Sequence, residues 1–142
     1  MPVNFHFQKL TTLKNRKLLK QFILSIFLKE KCSLENIDFI FCSNEYLLSI
    51  NRDFLKHDFY TDIITFDMTE EGKPSISAEV YISVDMVFEN AIKYRQSFKT
   101  ELHRVIFHGI LHLCGYKDKS PDQKNLMRKK EEYYLGMFHG EH

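Results

Sequence analysis

The feature that most restricts the fold is a run of apolar residues from about residue 101 to residue 114. Thr100 is suited to cap a helix at the start of this run, and Gly115 is suited to end it in the left-handed conformation. Apolar side chains occupy nearly all faces of the predicted helix: Leu102, Val105, Ile106, Phe107, Ile110, Leu111, Leu113 and Cys114. A helix that is apolar all round is buried, so the sequence predicts that this helix is the central element of the fold.

Two histidines, His108 and His112, interrupt the apolar run. Side chains four residues apart share one face of a helix, so both imidazoles can bind a single metal ion. After Gly115 the chain can turn back and bring Asp118 towards the two rings. Three such ligands with a position left for water are typical of a catalytic zinc site. Gly109 in mid-helix is unfavourable by about 1 kcal/mol relative to alanine, which indicates a need for close packing or access.

Several alternatives to this ligand set stay open on the sequence alone. His108 and His112 are also compatible with two core histidines bonded to backbone, although unpaired polar groups there would cost about 1–3 kcal/mol each. Asp118 is alternatively a surface carboxylate in a turn between two lysines, and Asp122 is its nearest competitor as a ligand. The HExxH motif of zinc proteases has the same spacing, but its general-base glutamate is Gly109 here, which argues against a protease.

Other polar residues are assigned less specific roles. His139 and His142 are interpreted as residues of a C-terminal tail, and His103 as either a neighbour of the metal ligands or a surface residue. Met127 and Glu131, at helical spacing, are interpreted as packing and solvent-facing residues rather than as chemistry. Two interpretations of Thr61-Asp62 fit equally well: a turn before a strand, and the rim of the site.

In the rest of the chain, segments with apolar residues at every second position alternate with segments of helical periodicity. Strands are predicted for residues 2–8, from Ile37 to Phe41, from Ile63 to Phe66, and for residues 76–82. The predicted helices cover residues 12–31, a short segment capped by Ser43 or Asn44, a segment capped by Ser83, the central run, and Ser120-Pro121 to about Leu135. This order, β-α-β-α-β-β-α-α-α, predicts an α+β fold: one domain over residues 1–142, with a four-stranded mixed sheet covered by helices.

Composition narrows the possible classes of protein. The chain has 142 residues, and its net charge of +1 does not indicate a strongly basic nucleic-acid binder. Three cysteines (Cys32, Cys42 and Cys114) without CxxC spacing favour reduced thiols and a cytoplasmic protein. No apolar run reaches the roughly 18 residues of a membrane span, and no signal peptide is visible, so no membrane partner is expected.

Three segments resemble one known family. Residues 108–116 closely resemble the signature HGxLHLxGY of the YbeY family of bacterial metal-dependent endoribonucleases. Residues 61–66 are similar to the family segment PTDVLSF, and Asn51 and Asp58 fit the segment before it. Residues 78–82 are similar to a family segment that usually has Gly-Asp followed by apolar strand residues. The resemblance covers almost the whole chain.

The resemblance implies a single-strand-specific endoribonuclease of the cytoplasm, which acts in rRNA processing, including maturation of the 16S rRNA 3′ end, and in ribosome quality control. RNA and the ribosome or its proteins are the implied partners, and one zinc ion per chain is the implied cofactor. In the family three histidines bind the zinc. The third falls at Asp118 here, so the implied ligands are His108, His112 and Asp118, and a metal-bound water is the only catalytic group that can be named.

The departures from the family pattern bear on the chemistry. Replacing a histidine by Asp118 lowers the positive charge of the site, so bound water should be less acidified and harder metal ions better tolerated. The family proline of PTD is Tyr60, and a family arginine falls at Leu55. Basic side chains near the site would position RNA phosphates, and the candidates are Lys56, His57, Arg104 and Lys117. A metal-dependent hydrolase of another substrate, and a non-catalytic RNA-binding module with a structural metal, are the alternative functions.

Overall fold

A computed structural model describes residues 2–140. Within them, four strands form one sheet: β1 (Val3–Phe7), β2 (Leu34–Cys42), β3 (Ile63–Asp67) and β4 (Ile76–Ser83). The strand order is β1-β2-β4-β3, with β1, β2 and β4 parallel and β3 antiparallel to β4. The predicted four-stranded mixed sheet is confirmed. The tail assignment of His142 lies outside the described residues.

The helices follow in the predicted order. They are α1 (Arg16–Lys29), α2 (Asn44–Leu55), α3 (Val84–Lys93), α4 (Phe98–Leu113) and α5 (Pro121–His139). Three predicted N-caps are confirmed: the hydroxyls of Ser43, Ser83 and Ser120 each accept a hydrogen bond from the backbone N–H three residues later. At α5 Gln123 completes a capping box, with Pro121 in the first turn. No helix of the described chain is long and apolar enough to span a membrane.

Two helix boundaries differ from the prediction. The cap of α4 is Ser97, whose hydroxyl accepts from the Thr100 N–H at 3.0 Å, so Thr100 lies inside the first turn. The earlier start adds Phe98, which packs against the core. Helix α5 continues past Leu135 and ends at Gly140, which has a positive φ of 75°. Met137 and Phe138 pack against the core, and this burial outweighs the low helix propensity of the glycine at position 136.

The central position of α4 is confirmed. Its apolar side chains from Leu102 to Leu111 belong to the main core, together with one face of the sheet and residues of α1, α3 and α5. The opposite face of the sheet is covered by α2 through a smaller apolar cluster. Gly109 lies directly on the sheet: a Cβ built there would be 2.9 Å from Ile63 Cδ1 and 3.3 Å from Val80 Cγ1. The close packing predicted from this glycine is therefore present, and it sets the backbone of α4, between the two histidines, against β3 and β4.

Candidate metal centre

His108 lies on the part of α4 that faces α5. Its Nδ1 is 2.7 Å from Oε2 of Glu131, a buried carboxylate of α5. A carboxylate only accepts hydrogen bonds, so Nδ1 carries the hydrogen and donates it. In the neutral imidazole the lone pair is then on Nε2, the atom that is available to a ligand.

Asp118 faces that second nitrogen. Its Oδ2 is 3.4 Å from Nε2 of His108. A lone pair and a carboxylate oxygen repel each other, so this approach requires a positive charge between them, either a proton on Nε2 or a metal ion. Burial disfavours the charged imidazole, but the hydrogen bond that His108 donates to Glu131 and the charges of Glu131, Asp118 and Asp62 outweigh burial and raise the pKa of His108. When His108 is protonated, the two side chains form an ion pair.

His112 is one turn further along α4. Its Nδ1 is 3.3 Å from the carbonyl oxygen of Tyr116, which again places the hydrogen on Nδ1 and leaves Nε2 for a ligand. The ring is exposed and lines a groove next to the space between His108 and Asp118. Within residues 2–140, no three His, Cys, Asp or Glu side chains are grouped closely enough to hold a metal ion. The structure thus brings two of the three predicted ligands together, and the full set stays a prediction.

A cavity of about 630 Å³ opens beside His108, and we call it the carboxylate cavity. Its acidic side chains are Asp62, Glu101, Asp118, Glu131 and Glu132, and its basic side chains are Arg104, Lys124 and Arg128. Arg104 is held by three of the carboxylates: Glu132 at 2.6 Å, and Glu101 and Glu131 at 3.5 Å each. The lining thus holds five carboxyl groups against three basic side chains, of which Arg104 is already paired.

Asp62 and Glu101 are the other two acids of the wall. Burial raises the pKa of the Asp62 carboxyl, and the neighbouring His108 charge opposes this shift only in part. Burial likewise raises the pKa of Glu101, against the attraction of Arg104. Both readings of Thr61-Asp62 fit the structure: the Thr61 hydroxyl donates to the Ile63 carbonyl oxygen at 3.4 Å, as in a turn, and Asp62 lines the cavity.

Three sequence interpretations are wrong, those of Glu131, His139 and His103. Glu131 is not a solvent-facing residue: it is 6 % exposed and binds His108. The sequence did contain a signal for this burial. Glu131 lies on the same helical face as Met127, Tyr134 and Leu135, which pack α5 on the core. His139 is not in a tail but in the last turn of α5, and its Nε2 is 2.9 Å from Nδ1 of His103.

His103 is neither at the surface nor beside the metal ligands. It is 4 % exposed and packs with Phe107 and Phe138. Burial is the main reason that the pKa of His103 falls to about 4, with smaller contributions from the charges of His139 and Lys99. It is therefore a neutral core histidine.

The predicted RNA-contacting residues lie on different parts of the surface. Lys56 ends α2 in the left-handed conformation, and His57 follows it on an exposed loop. Lys117 is exposed on the loop that carries Asp118. Arg104 is the exception, because its side chain is only 13 % exposed and paired with carboxylates. Contact of these four with RNA stays a prediction.

Comparisons with known proteins agree on one family. A family model described as Endoribonuclease YbeY matches residues 4–139. The chain is 49 % identical over 125 residues to Endoribonuclease YbeY of Cytophaga hutchinsonii, covering 88 % of this chain and 87 % of that protein. It is 42 % identical to that of Flavobacterium johnsoniae, covering 98 % and 99 %. The solution structure of TM1509 from Thermotoga maritima superposes with a TM-score of 0.61 at 29 % identity, covering 96 % of this chain and 89 % of that one. The chain belongs to the YbeY endoribonuclease family.

Proposed function

We propose that this endoribonuclease is metal-dependent and single-strand-specific, and that it processes rRNA, including the 16S rRNA 3′ end, together with the ribosome. Zinc is the proposed metal, and His108, His112 and Asp118 are its proposed ligands. The observation that supports the metal is the approach of His108 Nε2 to Asp118 Oδ2 at 3.4 Å, a pair that a metal ion can bridge in place of a proton on Nε2.

The chemistry of the donors suits zinc. Both imidazoles use Nδ1 for a hydrogen bond, to Glu131 and to the Tyr116 carbonyl, and this arrangement is usual for histidines that bind a metal through Nε2. Two imidazoles and one carboxylate form a known catalytic zinc set, which keeps a fourth position for water or substrate. When bound, zinc supplies a Lewis acid that polarises water or a phosphoryl oxygen.

The charge of the cavity supports the same conclusion. An RNA phosphodiester is an anion, and the carboxylate cavity would repel it unless a cation were present. A divalent ion at His108 would offset the charge of these carboxylates where the phosphate must lie. Lys124 and Arg128, exposed on α5 at the cavity wall, are then placed to contact the neighbouring phosphates.

The residues of the chain itself have distinct roles in this scheme. Glu131 holds the hydrogen on Nδ1 of His108 and so keeps Nε2 turned towards the ion. Arg104 binds Glu131 and Glu132 and keeps the buried carboxylate in place. Gly109 lets α4 rest on the sheet, so that both histidines start from a rigid backbone.

The test combines metal analysis with RNA cleavage. The purified protein is expected to contain about one zinc ion per chain and to cleave a single-stranded RNA faster than its duplex. His112→Ala is expected to lose both metal and cleavage. Asp118→Asn and Asp122→Asn form a matched pair, of which only the first should lose metal. Full metal content and full cleavage in His112→Ala would refute the proposed site. Precursor 16S rRNA, offered free and within ribosomal subunits, tests the proposed substrate.

A further inference from the structure

A second groove lies next to the carboxylate cavity, and both touch β3. It has a volume of about 300 Å³, and its lining includes Asn51, His57, Phe59, Thr61, Thr65 and His112. We call it the His112 groove. Ile63 lines both the groove and the carboxylate cavity, so the two are neighbours with the candidate metal ligands at their boundary.

One wall of the His112 groove is aromatic. The rings of His57 and Phe59 stack, with centroids 5.1 Å apart and planes 21° from parallel. Both residues are exposed, and Phe59 leaves 55 % of its surface open to solvent. Tyr60 beside them is 51 % exposed. Large aromatic side chains held outside the core are typical of a binding surface.

The loop that carries these rings is fixed to α2. Asn51, a buried residue of α2, donates from Nδ2 to the carbonyl oxygen of Phe59 at 2.9 Å. The backbone N–H of His57 donates to the carbonyl oxygen of Asn51 at 3.0 Å. The two bonds hold both ends of the segment from His57 to Phe59, so the aromatic wall exists before any ligand binds.

We propose that the His112 groove binds one unpaired nucleobase of the RNA, stacked on the Phe59 and His57 wall, next to the phosphodiester that is cleaved. This inference rests on the proposed function and adds a position on the substrate to it. A base that stacks on this wall must leave the stack of a duplex, and an unpaired base does so at least cost, which gives a physical cause for a preference for single strands. Stacking on aromatic side chains is how proteins commonly hold unpaired bases.

The polar lining fits the same ligand. Thr61 and Thr65 line the groove, and a threonine hydroxyl can bond the edge of a base. The Thr61 hydroxyl donates to the Ile63 carbonyl oxygen at 3.4 Å, so it is left to accept. Lys56, which directly precedes the stacked rings, adds a positive charge suited to the RNA backbone. A protein segment that docked on the same aromatic rings would need none of these features, and its presence is one outcome of the test.

The experiment measures binding without cleavage. The probe is a short fluorescent 2′-O-methyl RNA, used as a single strand and as its duplex, with the zinc-loaded protein. Phe59→Ala is expected to weaken single-strand binding by about tenfold and to leave duplex binding unchanged, because one stacked base is lost. Phe59→Trp should retain wild-type affinity, since it keeps the stacking surface. Phe88→Ala is the matched control, because Phe88 is 56 % exposed on α3 and lines a different cavity.

A second measurement does not depend on the fold of a variant. In the wild-type protein, a single abasic nucleotide moved along the strand should weaken binding most at one position next to the cleavage site. If Phe59→Ala binds the single strand as Phe88→Ala does, or weakens single strand and duplex equally, the proposal is wrong, and a protein partner becomes the better explanation of the aromatic wall. If the wild type cleaves RNA and Phe59→Ala binds the single strand as tightly as the wild type does, only this inference is overturned. Loss of metal and cleavage in the wild type would overturn the proposed function as well.

Discussion

Replacing Glu131 by glutamine tests whether the buried carboxylate of α5 orients the candidate metal ligand. Glutamine keeps the size of the side chain and an oxygen that can accept from His108 Nδ1. It removes the negative charge that faces His108 at 2.7 Å and Arg104 at 3.5 Å. It also introduces an amide donor, which must face the Arg104 guanidinium, itself only a donor.

The size of the effect follows from the burial of the contact. Glu131 is 6 % exposed, so water does not replace the lost interaction. A hydrogen bond to a charged group contributes about 1.5–3 kcal/mol, which corresponds to roughly 10- to 150-fold in affinity. Changes in the outer partners of metal-bound histidines usually reduce affinity or activity by about 10- to 100-fold. We therefore expect Glu131→Gln to bind zinc about 10- to 100-fold more weakly than the wild type.

The assay is a zinc competition titration against a chromophoric chelator. Glu132→Gln is the matched control, because Glu132 also binds Arg104, at 2.6 Å, but its side chain is 56 % exposed and lies on the neighbouring position of α5. Nitrogen NMR of the imidazoles in the metal-free protein gives an independent readout, since the fraction of His108 with its hydrogen on Nδ1 should fall in Glu131→Gln. Equal zinc affinities in Glu131→Gln and Glu132→Gln, with an unchanged tautomer of His108, would refute the orienting role.

Two further predictions concern stability. Burial lowers the pKa of His103 from 6.5 to about 4, so the unfolded chain binds the extra proton first. Stability from this group is complete above pH 6.5 and is lost as the pH falls towards 4, by at most about 3 kcal/mol. Urea unfolding at pH 7 and pH 4.5 should therefore show a smaller loss in His103→Phe than in the wild type, and equal losses would contradict the assignment. Ser120→Ala removes the capping box of α5 and should lower the free energy of unfolding by about 1 kcal/mol, with Ser49→Ala in mid-helix as the comparison. An unchanged denaturation midpoint would show that the cap does not contribute.

Local signals in the sequence were sufficient to predict the central helix and most of the helix N-caps. A helix with apolar residues on all faces has few places to lie other than in the core, and a serine before a helical pattern satisfies its own N–H groups. The start of α4 was misplaced because Ser97 and Thr100 are both competent caps, and only the packing of Phe98 decides between them.

The site was harder to predict because its contacts cross between elements. Glu131 meets His108 from 23 positions away, through the packing of α5 on α4, and no short motif records that contact. The arrangement of Asp118 relative to His112 depends on the loop after α4, where turn geometry rather than periodicity sets the side-chain directions. The aromatic wall of Phe59 is equally invisible to periodicity, since it belongs to a loop.

The missing side chain at position 109 has a consequence for motion. With no Cβ in the way, α4 touches Ile63 and Val80 directly, and the two histidines move with the sheet as one rigid body. Adjustment to a substrate is then left to residues 60–61 and 117–118, beyond the hydrogen bonds that fix the segment from His57 to Phe59 and the two ends of the loop after α4. Amide hydrogen exchange should be slow along α4 and fast in these two segments, so that the protein closes on its ligand with its loops while the histidine backbone stays still.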